Sequence, residues 1–315
     1  MKVVSASAPG KIILFGEHAV VYGRPAIAVP LTAVHATATV ALRTGPLNSA
    51  SQIEAHDLNR VVHVDDAPDD DPLAAIVRGT FAAYGGRPVL SGLSIVVTST
   101  IPIASGLGSS AAVSAAIARA IAAWLGKPLA PAIISRLVFD TEKLYHGTPS
   151  GIDNTVIAYE RPVFFVRDRP AEPFDLCRPL RLVVADSGLP ASTRSAVSAV
   201  RRERTRDPGR YERLFDQMGA IAVQARAALV SGDGDLLGPL MSDNHALLQQ
   251  IGVSLPVLDG LVDAACAAGA AGAKLSGGGQ GGNVIALVTP ESEAAVKRAL
   301  LAAGAERVLG TTVGE

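Results

Sequence analysis

Cysteine is scarce in this chain, with Cys177 and Cys266 the whole complement of 315 residues. Two thiols allow at most one bridge, and neither sits in a zinc or redox spacing, so a disulfide scaffold and a zinc module are excluded. Both are expected to be small buried or half-buried residues in a reducing compartment. Aromatic residues are also few, at 4% with Trp124 the one tryptophan. The 49% hydrophobic content therefore has to build its core largely from Ala, Val, Leu and Ile. An excess of charge of one sign is missing too, since 28 Lys and Arg against 29 Asp and Glu leave −1. Bulk electrostatics thus point to neither nucleic acid nor a membrane surface as a partner. The one dense basic run, residues 201–206 (RRERTR), lacks aromatics for base stacking and reads as a solvated helix end or loop. No apolar run approaches the ~20 residues of a membrane span, and the opening MKVVSASAPGKIILFGEH has no basic segment followed by an apolar stretch of signal type. A cytoplasmic protein is expected.

What is present is glycine in unusual places. The stretch Ile101-Pro102-Ile103-Ala104-Ser105-Gly106-Leu107-Gly108-Ser109-Ser110-Ala111-Ala112 follows a β-branched run (LSIVVT, residues 93–98) and precedes a long run of small helix formers. It reads as strand, loop and helix. Free backbone N–H groups at the mouth of a helix, with no bulky side chain in the way, make a phosphate cradle. Either serine hydroxyl adds a donor, or binds a divalent cation that travels with phosphates. The same residues also suit a plain N-cap and a glycine corner.

The length suits two domains. Residues 11–15 and 34–42 read as strands, 72–84 as a helix ended by Gly85-Gly86, and the acidic stretch 46–72 as a solvated loop without calcium-loop spacing. The helix over 110–125 turns Val113, Ile117, Ala120, Ile121 and Trp124 to one face, with Arg119 opposite. The next, over 132–145, carries Glu142 at the edge of its apolar stripe, facing the protein. The polar segment 167–178 is the expected connector between domains 1–175 and 176–315. Beyond it, strands at 182–185, 283–288 and 307–313 mix with helices at 211–230, 234–251, 256–268 and 290–303, an α+β pattern.

Four further stretches make sense if the loop holds the phosphates of ATP. In EKLYHGTPSGID (142–153), Glu142 is a hard oxygen donor able to share Mg²⁺ with Ser110, and Asp153 follows a rigid turn as the better base. Alternatively, Asp153 is only a helix N-cap. Lys11 in APGK projects into a cleft or sits at an exposed strand edge. The segment KLSGGGQGG (274–282) lets backbone close over a ligand. PASTR (190–194) is a polar turn that offers hydroxyl and guanidinium contacts.

Taken together, the chain resembles the GHMP family of small-molecule kinases through APGKIILFGEH, PIASGLGSSAA and KLSGGGQGGN in that order, over residues 7–288. Within the family, GEHAVVYGRPAIAVPL, EKLYHGTPSGIDNTV and PASTR are most similar to the members that act on mevalonate. The resemblance implies a two-domain α+β fold, with an N-terminal domain like ribosomal protein S5 domain 2 and a C-terminal ferredoxin-like domain, an active site between them, and a last strand that returns to the first domain in some readings. It implies Asp153 as catalytic base with Lys11 as its electrostatic partner, Ser110 and Glu142 as Mg²⁺ ligands, and residues 103–112 around the phosphates. Glu17, His18, Ser150, Thr193 and Gly278 would line the acceptor site. The implied reaction moves the γ-phosphoryl of ATP to the 5-hydroxyl of (R)-mevalonate, and the partners are these small molecules, with a homodimer as an option. Gln280 departs from the small residue usual in the third motif.

Rival readings are another acceptor alcohol within the family (phosphomevalonate, the mevalonate 3-hydroxyl, homoserine or a sugar) and a non-catalytic nucleotide-binding module. A dinucleotide-dependent oxidoreductase is a third, because residues 106–111 satisfy Gly-x-Gly-x-x-Ala. That fingerprint needs a strand ending in an acid ~20 residues on, and 126–131 (GKPLAP) is no strand. A P-loop ATPase is excluded because Gly-x-x-x-x-Gly-Lys-Ser/Thr does not occur.

Overall fold

The computed structural model describes residues 2–43, 50–85, 92–102, 105–147, 149–190 and 192–314, with Leu58 and His146 described by backbone alone. Two compact units alternate along the chain. One comprises Met1–Gly10, Val34–Pro102 and Gly108–Glu160, the other Lys11–Ala33, Ile103–Leu107 and Arg161–Glu315. Strands β1 (Val3–Phe15) and β2 (Ala26–Leu42) each lend a part to either unit.

In the first unit, β2 is followed by β3 (Gln52–Ala55), β4 (Arg60–His63), α1 (Pro72–Ala82) and β5 (Leu93–Ser99). The predicted strand over 93–98 is β5, antiparallel to β2 with Val40 opposite Ile95 and parallel to β3 with Ile53 opposite Ile95. The acidic stretch before α1 supplies its cap, as Asp71 Oδ1 accepts from the N–H groups of Leu73 and Ala74, each at 3.0 Å. Then come α2 (Ser109–Leu125), α3 (Pro131–His146) and α4 (Ile152–Tyr159). The alanines of α2 are buried almost throughout, so α1, α3, α4 and β5 can all pack against it at close range.

Arg119, expected opposite the apolar stripe of α2, meets protein there within this unit. Its guanidinium donates to the carbonyls of Ser7 (2.9 Å), Ile157 (3.1 Å) and Ala158 (3.0 Å) and pairs with Glu160. It thereby caps the C-terminal end of α4, whose last carbonyls have no partners within the helix.

In the second unit, β6 (Val163–Phe165) pairs with the start of β2 and with β7 (Glu172–Pro173). Next are β8 (Leu180–Asp186), α5 (Thr193–Arg206), α6 (Pro208–Ser231), α7 (Gly234–Gln250) and α8 (Pro256–Ala267). The chain closes with β9 (Gly272–Ser276), β10 (Asn283–Leu287), α9 (Glu293–Ala302) and β11 (Arg307–Val313). Their antiparallel sheet runs β11-β8-β10-β9, so the last strand pairs with β8. Helices α7 and α8 pack on β9, and α9 on β8 and β11. Every residue of β9 and β10 is buried, which is why these strands read as short apolar runs without alternation.

Two local expectations need correction. PASTR is not only a turn: Ser192 Oγ accepts from the Ser195 N–H at 3.2 Å and starts α5. The basic run is the largely exposed end of that helix, as expected, with Arg204 held by Glu212 at 2.6 Å. Both cysteines are free and exposed rather than buried.

Candidate active site

The glycine loop and the helix it feeds come first. Gly106 and Gly108 take positive φ, 76° and 78°, and Gly108 is the N-cap of α2. Neither serine is the cap. A glycine cap has no side chain to offer the first N–H groups, so the end of α2 keeps donors for an anion, with Ser109 and Ser110 half-buried in its first turn. Ala111 and Ala112 are buried behind them. Ile103 and Ala104 lie outside the described residues.

In the same unit, the helix cap in front of Asp153 is Gly151, with φ 92°, and Asp153 is the second residue of α4, half-buried. The N-cap reading of Asp153 therefore fails. Ser150 Oγ accepts from the Ile152 N–H at 3.4 Å, which holds the turn that presents the aspartate. Glu142 is 4% exposed on α3, which packs on α2. Close by, burial pushes the Tyr145 hydroxyl up to about 12, opposed by Arg60 and helped by Glu142 and Asp71. The buried Glu142 carboxyl and the Ser110 hydroxyl in the first turn of α2 are hard-oxygen groups of the kind Mg²⁺ takes. Among the described residues no group of three or more His, Cys, Asp or Glu is placed to hold a metal.

In the second unit Lys11 is buried, not set at an exposed strand edge, and its backbone N–H donates to the Leu107 carbonyl at 2.9 Å. Asn283 Nδ2 donates to the Ser105 carbonyl. Residues 105–107 are thus anchored to β1 and β10.

The chain turns at Gly16, φ 88°, where a Cβ would stand 2.4 Å from the Pro25 carbonyl oxygen. Only glycine fits there. His18 follows with φ 59°, buried, and its Nε2–H donates to the Gly278 carbonyl at 2.9 Å. Because a carbonyl only accepts, this bond sets the Nε2–H tautomer and leaves Nδ1 as an acceptor. Burial lowers the His18 pKa, with the Gly278 bond opposing, so the ring is neutral near pH 7.

Thr193 opens α5 beside Gly278, where a Cβ would fall 3.1 Å from Thr193 Cα and 3.2 Å from its Oγ1. Gln280, the departure from the family pattern, adopts φ 56° and donates its N–H to the Val253 carbonyl at 2.8 Å. It keeps the left-handed turn that a smaller residue would make.

Sequence reasoning missed Asn244 and a buried ion pair. Lys274 and Glu17, 0% and 1% exposed, form an ion pair, and Asn244 Nδ2 donates to the second Glu17 oxygen at 3.3 Å. Burial lowers the Lys274 pKa and Glu17 opposes the shift. Lys274 and Glu17 were each visible as motif residues, but their pairing across 257 positions was not.

The dinucleotide reading fails on topology. After α2 the chain caps at Gly126 and enters α3 at Pro131 with no strand between, whereas the fingerprint requires a βαβ unit.

Models of the GHMP kinase N-terminal domain and of the GHMP kinase C-terminal region match residues 73–161 and 225–306. The mevalonate kinase of Thermococcus gammatolerans is 37% identical, covering 96% of this chain and 93% of its own. That of Pyrococcus horikoshii is 35% identical, covering 96% and 94%. Among solved structures, L. major mevalonate kinase in complex with R-mevalonate superposes with a TM-score of 0.83 at 31% identity, over 98% of this chain and 95% of that one. The Methanococcus jannaschii mevalonate kinase does so at 0.79 and 26%, over 99% and 98%. With both family models in register and full-length relatives above 30% identity, this chain belongs to the GHMP kinase family.

Proposed function

We propose that this protein transfers the γ-phosphoryl of ATP to the 5-hydroxyl of (R)-mevalonate, giving 5-phosphomevalonate for isoprenoid synthesis. The full-length likeness to mevalonate kinases carries the choice of acceptor. The open N-terminus of α2 and residues 105–112 hold the phosphates through backbone N–H groups and the Ser109 hydroxyl. Ser110 and Glu142 would hold Mg²⁺, which when bound would neutralise charge on the phosphate oxygens.

Asp153 orients the acceptor hydroxyl and takes its proton as the oxygen attacks phosphorus. Lys11 supplies positive charge toward the reacting oxygen. His18, Thr193, the Gly278 backbone and Ser150 would contact the acceptor. No helix among the described residues is long and apolar enough to cross a membrane. Two free, exposed thiols suit a reducing compartment, and we place the reaction in the cytoplasm.

The test is ADP release by the purified protein with Mg-ATP and, separately, mevalonate, phosphomevalonate, galactose and homoserine, alongside Asp153→Asn. Turnover with mevalonate alone is expected, falling by about 10²–10⁴-fold in the variant with the ATP KM little changed. Preference for another alcohol overturns the acceptor, and near-normal turnover of the variant overturns the role of Asp153.

A further inference from the structure

Two charges with no solvent access, far apart in sequence, are joined inside the second unit. A buried ammonium or carboxylate persists only when it is paired and its remaining hydrogen-bonding capacity is used. Both conditions hold here. The Lys274 ammonium contacts Glu17 Oε1 and donates to the Leu275 carbonyl at 2.7 Å, while Asn244 occupies Glu17 Oε2. Each oxygen of Glu17 already has a protein donor, and the residue is 1% exposed.

Two further bonds lie on either side of this pair in the sequence. Ser276 Oγ donates to the Ile13 carbonyl at 2.8 Å, and His18 Nε2 to the Gly278 carbonyl at 2.9 Å. The end of β1 with its glycine turn is therefore joined to β9 with its glycine loop at three points, and the ion pair is the only charged one of the three. The loop so held carries Gly278 against Thr193.

We propose that Glu17 and Lys274, supported by Asn244, are positioning residues: they lock the first glycine turn to the third glycine loop and so set where His18 and the Gly278 backbone meet the acceptor, while Glu17 itself never touches it. This rests on the kinase reading above and departs from the family-based expectation that Glu17 lines the acceptor site.

The experiment compares Glu17→Gln, Lys274→Met, the double variant Glu17→Gln/Lys274→Met, and Asn244→Ser. Each is assayed for Tm and for the KM of both substrates, with whichever alcohol the wild type turns over. Failure of the wild type on mevalonate thus condemns the acceptor assignment and leaves the positioning pair to be judged by itself. Each single charge variant strands its partner, and the Tm should fall by about 10 °C or more. In whatever folds, the acceptor KM should rise about tenfold while the ATP KM stays within about twofold.

The double variant leaves no stranded charge and nearly keeps the volume, so it should recover most of both the Tm and the acceptor KM. A double variant with restored Tm but an acceptor KM still raised as in Glu17→Gln would overturn the proposal, because the carboxylate would then be needed by the ligand. Should the double variant not fold, Asn244→Ser decides. It removes one bond to Glu17 without stranding a charge, and an acceptor KM equal to the wild type's would sink the positioning role.

Discussion

The Nε2–H of His18 donates to the carbonyl oxygen of Gly278 across 2.9 Å, joining two glycine segments that lie 260 residues apart. A backbone carbonyl thereby fixes which nitrogen of the ring carries the proton, and the ring is held neutral by burial. The bond constrains His18 and the glycine loop together, and Thr193 stands directly against that loop.

Gly278→Ala tests this packing. The new methyl group would press on Thr193 Cα and Oγ1 at 3.1 and 3.2 Å, closer than ordinary contact. The acceptor KM should rise about tenfold, with the ATP KM nearly unchanged. Thr193→Ala should act in the same direction. If initial-rate kinetics show equal effects on both substrates, Thr193 is not an acceptor contact.

Glu142→Gln keeps the shape of a buried side chain and removes its charge. The Mg²⁺ concentration for half-maximal activity should rise by about tenfold or more, read from a Mg²⁺ titration at fixed ATP. An identical titration curve would take Glu142 out of the donor set.

Stability should depend on pH through His18 and His245. Burial lowers both pKa values below 6.5, against Gly278 at His18 and against Asp259 at His245, where Lys274 adds to the lowering. The unfolded chain then binds protons that the folded chain refuses. Their contribution to stability is complete above pH ~6.5 and is lost as pH falls below it toward the folded values. Tm should therefore drop between pH 7 and 5, and His245→Gln should flatten part of that slope. His245 Nδ1 also accepts from the Leu275 N–H at 3.4 Å, a bond that protonation would end.

Arg119→Ala should cost about 2–3 kcal/mol, because three carbonyls and Glu160 lose their shared donor. A Tm about 5–10 °C lower is expected by calorimetry. Arg119→Lys should recover little, since one ammonium cannot replace a planar fork aimed at several carbonyls. The helix it caps carries Asp153, so kcat should fall more than the ATP KM changes.

Much of the fold was legible because it is written in local chemistry. Asp71 and Pro72 start α1, Gly126 ends α2, and the alternating strand at 93–98 is β5. The two elements around the functional segments were harder to read. Helix α4 begins right after a turn-forming run, and α5 hides behind a polar stretch and four arginines, so neither shows a clean apolar stripe before its packing partners are known. Arg119 lies on the face opposite the apolar stripe, as expected, but that face meets protein rather than water. Periodicity treats a charge as an outward residue, while free carbonyls at the end of α4 made an inward place for it.

By itself the sequence determined the kinase family and offered a candidate phosphate loop and candidate roles for Asp153, Lys11, Ser110 and Glu142, because each depends on motif residues at short spacing. Only the tertiary structure decided that Gly108 rather than a serine caps α2, that Gly151 rather than Asp153 caps α4, and that Glu17 is paired with Lys274. Those facts depend on backbone dihedrals and on contacts across more than two hundred residues. A buried charge leaves no mark in the chain that says which opposite charge will meet it when the strands close.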